Sequence, residues 1–204
     1  MPAWAHNAPM PAAFEIIALA ASAGGLKALT EVLAALPAGL RVPLTVVQHL
    51  APGRRSLLAE ILGRRTALGV REAANAEQLR PGVAYIAPSD HHLLVNRGGF
   101  ISLTQTELVH FVRPSADLLF ESVAASYRER AIAVILSGSG TDGAMGVKAI
   151  KKMGGTVIVQ APGGSEFRGM PDAALQAGCP IDMVLPLAQI APALLRLLDG
   201  GREA

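Results

Sequence analysis

The chain has 204 residues, of which 51% are hydrophobic and 17% charged, and its formal net charge is +2. This composition excludes a disordered chain, and basic residues that are scattered rather than gathered with aromatics argue against a nucleic-acid surface. The lone cysteine, Cys179, cannot form an internal disulfide and fits a reducing compartment, while no apolar run reaches the roughly 20 residues that span a bilayer.

Residues 1–14, with Pro2, Pro9 and Pro11, read as a loose leader. No Lys or Arg occurs before Lys27 and Glu15 interrupts the apolar run, so the basic region of a secretion signal is missing and a cytoplasmic protein is expected. A single domain is expected over residues 15–199, followed by a short tail, 200–204.

In chain order, Glu15 to Ala20 suits a buried strand, and Leu26 to Leu33 repeats apolar residues at helical spacing. Ser22 stands on the turn between them, among Ala20, Ala21, Ala23, Gly24 and Gly25, whose small size lets a backbone or substrate approach closely. A helix-capping serine and a nucleophile at a strand-to-helix elbow both fit this position. Pro43 to Gln48 reads as a second buried strand ending in His49. Leu50 to Gly53 turns the chain, and Arg54 to Arg65 carries Leu57, Leu58, Ile61 and Leu62 on one helical face.

Gly69 to Ala73 and Val83 to Ala87 read as strands, and Leu93 to Val95 with Phe100 to Leu103 as a β-hairpin turning at Asn96-Arg97-Gly98-Gly99. Asp90-His91-His92 invites a metal reading, but adjacent histidines on an extended segment face opposite ways and no further ligands complete a set; no metal is expected. Arg113 suits either a salt bridge or the anchoring of an anionic or polar substrate flank. A helix over Ser115 to Arg130 has Ser115 as its cap.

Ala131 to Leu136 is a buried strand, Ser137 to Gly143 a glycine-rich loop, and Ala144 to Met153 a helix. Gly138, Gly140 and Gly143 match the G-x-G-x-x-G spacing of a dinucleotide site. Against that reading, Asp142 places negative charge where a pyrophosphate would sit, and the next strand, Thr156 to Gln160, ends in glutamine rather than a ribose-binding acid. Asp142 at a strand edge suits the orientation of a histidine instead. Ala161 to Gly169 is a loop bordering the crevice, Pro171 to Ala177 a helix, Asp182 to Leu185 a strand and Leu187 to Leu198 a last helix. Ser22, His49 and Asp142 thus fall at the carboxyl ends of three expected strands, in the order nucleophile, base, orienting acid. No histidine follows His110, which excludes the Ser, acid, His order of ordinary α/β-hydrolases.

The chain resembles the catalytic domain of the chemotaxis protein-glutamate methylesterases, the CheB family. The resemblance is carried by Ala21 to Gly25, Val46 to His49, Ala84 to Pro88, His92, Arg113-Pro114-Ser115 with Asp117, Val134 to Ala144, and Gly169-Met170-Pro171. It implies an α/β fold, a doubly wound, mostly parallel sheet with helices on both faces and a hairpin insertion. It also implies Ser22 as nucleophile, His49 as base, Asp142 as its partner, and backbone N–H groups near Ala23 and Ser139 as oxyanion donors. The implied reaction is hydrolysis of glutamyl methyl esters on the cytoplasmic helices of chemoreceptors, with glutamine deamidation as a second activity and no metal or organic cofactor. Ser139 stands where the family pattern has methionine, and His110-Phe111-Val112 is more apolar than the family's usual run. Residues 1–14 leave no room for the receiver domain that usually precedes this domain, so activation is expected to be external, through a separate regulatory partner, or else constitutive or absent. The alternative is a non-catalytic binding or signalling module with the same fold.

Overall fold

The computed structural model describes residues 14–49 and 56–200. The leader up to residue 13, the expected turn Leu50 to Gly53, Arg54 at the expected helix start, and the tail from residue 201 lie outside the described residues.

The centre is a seven-stranded parallel sheet. Its strands are β1 (Ile16–Ala21), β2 (Leu44–Gln48), β3 (Gly69–Glu72), β4 (Val83–Ile86), β7 (Ala131–Ile135), β8 (Thr156–Gln160) and β9 (Met183–Leu185), in the spatial order β3-β4-β2-β1-β7-β8-β9. The hairpin β5 (His92–Asn96) and β6 (Phe100–Thr104) forms a separate antiparallel pair, turning through Gly98 and Gly99, both at positive φ.

β1 is apolar throughout because both of its faces are covered. Ile17, Leu19 and Ala21 pack with α1 (Gly25–Ala34), α2 (Leu58–Gly63) and α6 (Leu187–Leu198). Ile16, Ala18 and Ala20 pack on the other side with α3 (Ala116–Tyr127), α4 (Ala144–Lys152), α5 (Gly169–Leu175) and the hairpin. This is the expected doubly wound α/β architecture. From β1 the chain builds outward first through β2 and later, on the opposite side, through β7. The order therefore reverses beside β1, and in such sheets the crevice at the carboxyl ends of the strands opens at that switch point.

Two of the helix boundaries that differ from expectation do so for reasons visible in the backbone. α5 begins at Gly169, two residues early, because a proline at its third position lacks only an N–H that the first helical turn does not use. α3 stops at Tyr127 rather than Arg130, since Arg128 takes a positive φ of 55° and leads into a short 3-10 turn.

Candidate active site

Ser22 follows the last residue of β1. Its carbonyl accepts from the Gly25 N–H at 2.9 Å, closing a tight turn with Gly24 at φ 72°, and its own N–H donates to the Ser137 carbonyl beyond β7 at 3.0 Å. The parallel register pairs Ala21 with Gln48, so His49 comes next at the adjoining strand end, where its N–H donates to the Ala21 carbonyl at 3.1 Å. The Gln48 side-chain amide donates to the carbonyls of Ser22, at 2.7 Å, and His49, at 3.0 Å. One buried side chain thereby ties the two turns together. Sequence reasoning does not single out Gln48 for this role, although it precedes His49 in a strand otherwise wholly apolar but for Thr45.

The His49 ring is 11% exposed and its Nε2 lies 2.8 Å from Asp142 Oδ2. Asp142 also accepts from the Ser115 hydroxyl at 2.9 Å and from the N–H groups of Ala116 at 2.6 Å and Asp117 at 3.1 Å. It thus plugs the N-terminus of α3, where free N–H groups and the helix dipole favour negative charge. Burial pushes the Asp142 carboxyl up, but the His49 hydrogen bond and the two backbone donors outweigh it, and the group titrates below its ordinary value. An ionised carboxylate only accepts, so the neutral His49 ring carries its proton on Nε2 and leaves Nδ1 with a free lone pair. The Ser22 hydroxyl, by contrast, makes no hydrogen bond among the described residues, to His49 or to any other group.

Asp117 answers Asp142 across the same junction. From the first turn of α3 it accepts from the N–H groups of Gly143 at 3.0 Å and Gly146 at 2.7 Å, at the start of α4. The two helices exchange carboxylates, and each plugs the other's N-terminus. This bears on the G-x-G-x-x-G loop: at its last glycine and the helix start beyond it, the N–H groups of Gly143 and Gly146 are taken by Asp117. Burial holds the Asp117 carboxyl above its ordinary value despite these donors, and the His110 ring lies 3.1 Å from its other oxygen.

His92 is fully buried and positions the cap of α3. Its Nδ1 accepts from the Ser115 N–H at 3.1 Å and its Nε2 donates to the Glu107 carbonyl at 3.0 Å. A proton on Nδ1 would face another N–H, so the site requires the neutral ring, and burial likewise lowers its pKa. A histidine lowered on folding contributes stability that is complete above the free value near 6.5 and declines as pH falls below it, because the unfolded chain takes up the proton first. The unfolding free energy from urea titration is therefore expected to fall between pH 7.5 and pH 5.5, by up to about 1.4 kcal/mol per pH unit for this proton. In His92→Gln, whose amide does not titrate, the difference should shrink.

Ala23 and Ser139 lie on the turns after β1 and β7, and among the described residues neither backbone N–H has a hydrogen-bond partner. Between them, Gly138 is held by the Phe167 carbonyl at 3.0 Å and by the Met170 N–H at 2.9 Å, so the loop 161–169 borders the crevice as expected. A Cβ on Gly138 would lie 2.2 Å from Met170 Sδ and 3.0 Å from Ser22 Cβ. Gly138→Ala is accordingly expected to cost about 1–3 kcal/mol by displacing the Ser22 turn, which thermal melting would check.

A cavity of about 630 Å³ opens at Ser22 along α1, past Leu26, Lys27, Thr30 and Glu31 to Arg65. A smaller one of about 110 Å³ opens at His49. Arg113 lines the latter, but its guanidinium is engaged by Asp90, through Nε at 2.9 Å and Nη2 at 2.6 Å, and by the carbonyls of Gln105 and Thr106. Its salt-bridging role is thus the one observed. His91 Nδ1 lies 3.0 Å from the Ser89 carbonyl, and among the described residues no group of three His, Cys, Asp or Glu side chains is placed to hold a metal ion.

The fold and site together define a doubly wound α/β protein with a serine and a carboxylate-bound histidine at adjoining strand ends beside the switch point. The family model described as CheB methylesterase matches residues 17–194, and the chain belongs to that family. It is 43% identical over 190 residues to a protein-glutamate methylesterase/protein-glutamine glutaminase of Moorella thermoacetica, covering 91% of this chain and 45% of that one. It is 37% identical over 190 residues to a putative enzyme of the same name from Leptospira interrogans, covering 93% and 98%. The protein-glutamate methylesterase FrzG of Myxococcus xanthus is 40% identical over 198 residues, with 97% and 59% covered. The chain thus spans about half the length of the first and third of these relatives and nearly all of the second. The crystal structure of the Thermotoga maritima CheB methylesterase catalytic domain superposes with a TM-score of 0.86 at 35% identity, over 91% of this chain and 100% of that one. Among the described residues, no helix is long and apolar enough to cross a membrane.

Proposed function

We propose that this chain is a serine-dependent protein-glutamate methylesterase acting in the cytoplasm on methylated helices of chemoreceptors. The observation that carries the reading is the 2.8 Å pairing of His49 with a buried, ionised Asp142, set one strand away from Ser22. His49 Nδ1 takes the Ser22 proton as Oγ attacks the ester carbonyl, while Asp142 fixes the ring and stabilises the imidazolium. The N–H groups of Ala23 and Ser139 receive the oxyanion, each donor being worth about 3–4 kcal/mol to the transition state. The imidazolium then returns its proton to the leaving methoxide, methanol departs, and water repeats the sequence on the acyl-serine. An amide leaving as ammonia needs that same protonation, which extends the reading to the glutaminase activity named for two of the relatives. None of these steps uses a metal or organic cofactor.

A second reading, a binding module without turnover, draws on the Ser22 hydroxyl having no bond to His49 among the described residues. In serine hydrolases without substrate this hydrogen bond is often long and tightens in the Michaelis complex, which favours the first reading. Methanol release from methylated chemoreceptor signalling fragments separates the two. Release that depends on Ser22 supports the esterase; binding of the fragment with no release supports the module.

A further inference from the structure

Val109 and Val112 exchange backbone hydrogen bonds at 3.2 and 2.9 Å, making a two-residue hairpin turn whose tip is His110 and Phe111. Both tip residues hold positive φ, 49° and 63°, a region that asparagine and glycine occupy readily and phenylalanine rarely. The turn is nevertheless pinned on both sides. The His110 ring is tied to the buried carboxylate of Asp117, and Arg113, just beyond Val112, is clamped by Asp90 and two carbonyls. The outcome is a fixed arm that presents Phe111 to solvent with 94% of its surface exposed and Leu108 beside it at 54%. Large apolar side chains are scattered singly over many surfaces, but these two line the small cavity that also contains His49.

From this continuity we infer that the Leu108–Phe111 arm is the docking anchor for the substrate polypeptide, its apolar tip burying against residues that flank the esterified glutamate. The inference rests on the reading of Ser22 and His49 as the reacting pair. A rigid aromatic with two rotatable bonds, set in advance in its exposed position, loses little freedom on binding, and aromatic residues dominate binding energy where they are fully desolvated.

The test is a binding measurement in the Ser22→Ala background, with a methylated chemoreceptor signalling fragment as the probe. Adding Phe111→Asn, which suits the positive φ and keeps the turn, is expected to raise Kd at least about tenfold. Phe111→Leu should restore Kd to within about threefold, and Phe100→Asn, at an exposed phenylalanine on the hairpin, should leave it unchanged. An unaltered Kd in Phe111→Asn, an equal loss in Phe100→Asn, or no binding of the fragment by Ser22→Ala would each overturn the inference. Absence of methanol release by the Ser22-containing chain would overturn the esterase reading instead, since the Kd comparison is read without turnover.

Discussion

Ser22→Ala is expected to lower methanol release from methylated receptor fragments by at least about 10³-fold, because on the proposed mechanism it removes the nucleophile and so disables the whole catalytic unit rather than one contributor to it. The same substitution should leave stability within about 0.5 kcal/mol of wild type. The Ser22 hydroxyl has no hydrogen-bond partner among the described residues, and the turn is held by backbone groups and the Gln48 amide, all of which remain. Initial rates of methanol formation and a thermal melt on the same preparations provide the check. Turnover that survives in Ser22→Ala would sink the serine mechanism, while a large drop in melting temperature would mean the loss was one of folding.

The second large effect belongs to Asp142, where chemistry and stability separate by choice of replacement. Asp142→Asn keeps a carbonyl oxygen for the α3 N-terminus but removes the charge opposite His49 and can favour the wrong tautomer. Turnover is expected to fall about 10³- to 10⁴-fold with a modest stability loss. Asp142→Ala strips the acceptor from His49, the Ser115 hydroxyl and the N–H groups of Ala116 and Asp117 at once, in a site only 3% exposed. Unpaired buried donors make this expensive, about 3–5 kcal/mol. Denaturant midpoints should therefore rank wild type, Asn, Ala, while both variants lose activity. Equal stability of all three would refute the helix-plugging role; near-normal turnover in Asp142→Asn would refute the orienting one.

Much of this molecule was legible in its sequence, for local reasons. β1, β2 and β7 are short apolar runs with no solvent-facing alternation, as strands covered on both faces must be, and each ends where small or turn-forming residues begin. Placing Ser22, His49 and Asp142 just past three such runs already sent them to one edge of a parallel sheet. The cap at Ser115 was visible as a serine before an apolar helical pattern. The expected helix from Arg54 was too long at its described end, stopping at Gly63, because apolar spacing alone does not locate a terminus.

What the sequence by itself determined, then, is the set of elements, their alternation, and the residue types gathered at the strand ends. The tertiary structure decided what those residues do to one another. Asp142 and Asp117 stand 25 positions apart and look like separate acids, yet each fills the helix N-terminus beside the other; this depends on α3 and α4 packing against one another with their N-termini adjacent. The G-x-G-x-x-G spacing is identical whether the helix start beyond it holds a phosphate or a carboxylate, and the arrival of Asp117 at the N–H groups of Gly143 and Gly146 makes it a carboxylate there. His92 reads as half of a metal motif until burial and two backbone partners fix it as a neutral support for Ser115. Pattern along a chain reports periodicity and local turns, whereas the protonation state and partner of a buried polar group are set by residues brought close in space from distant parts of the chain.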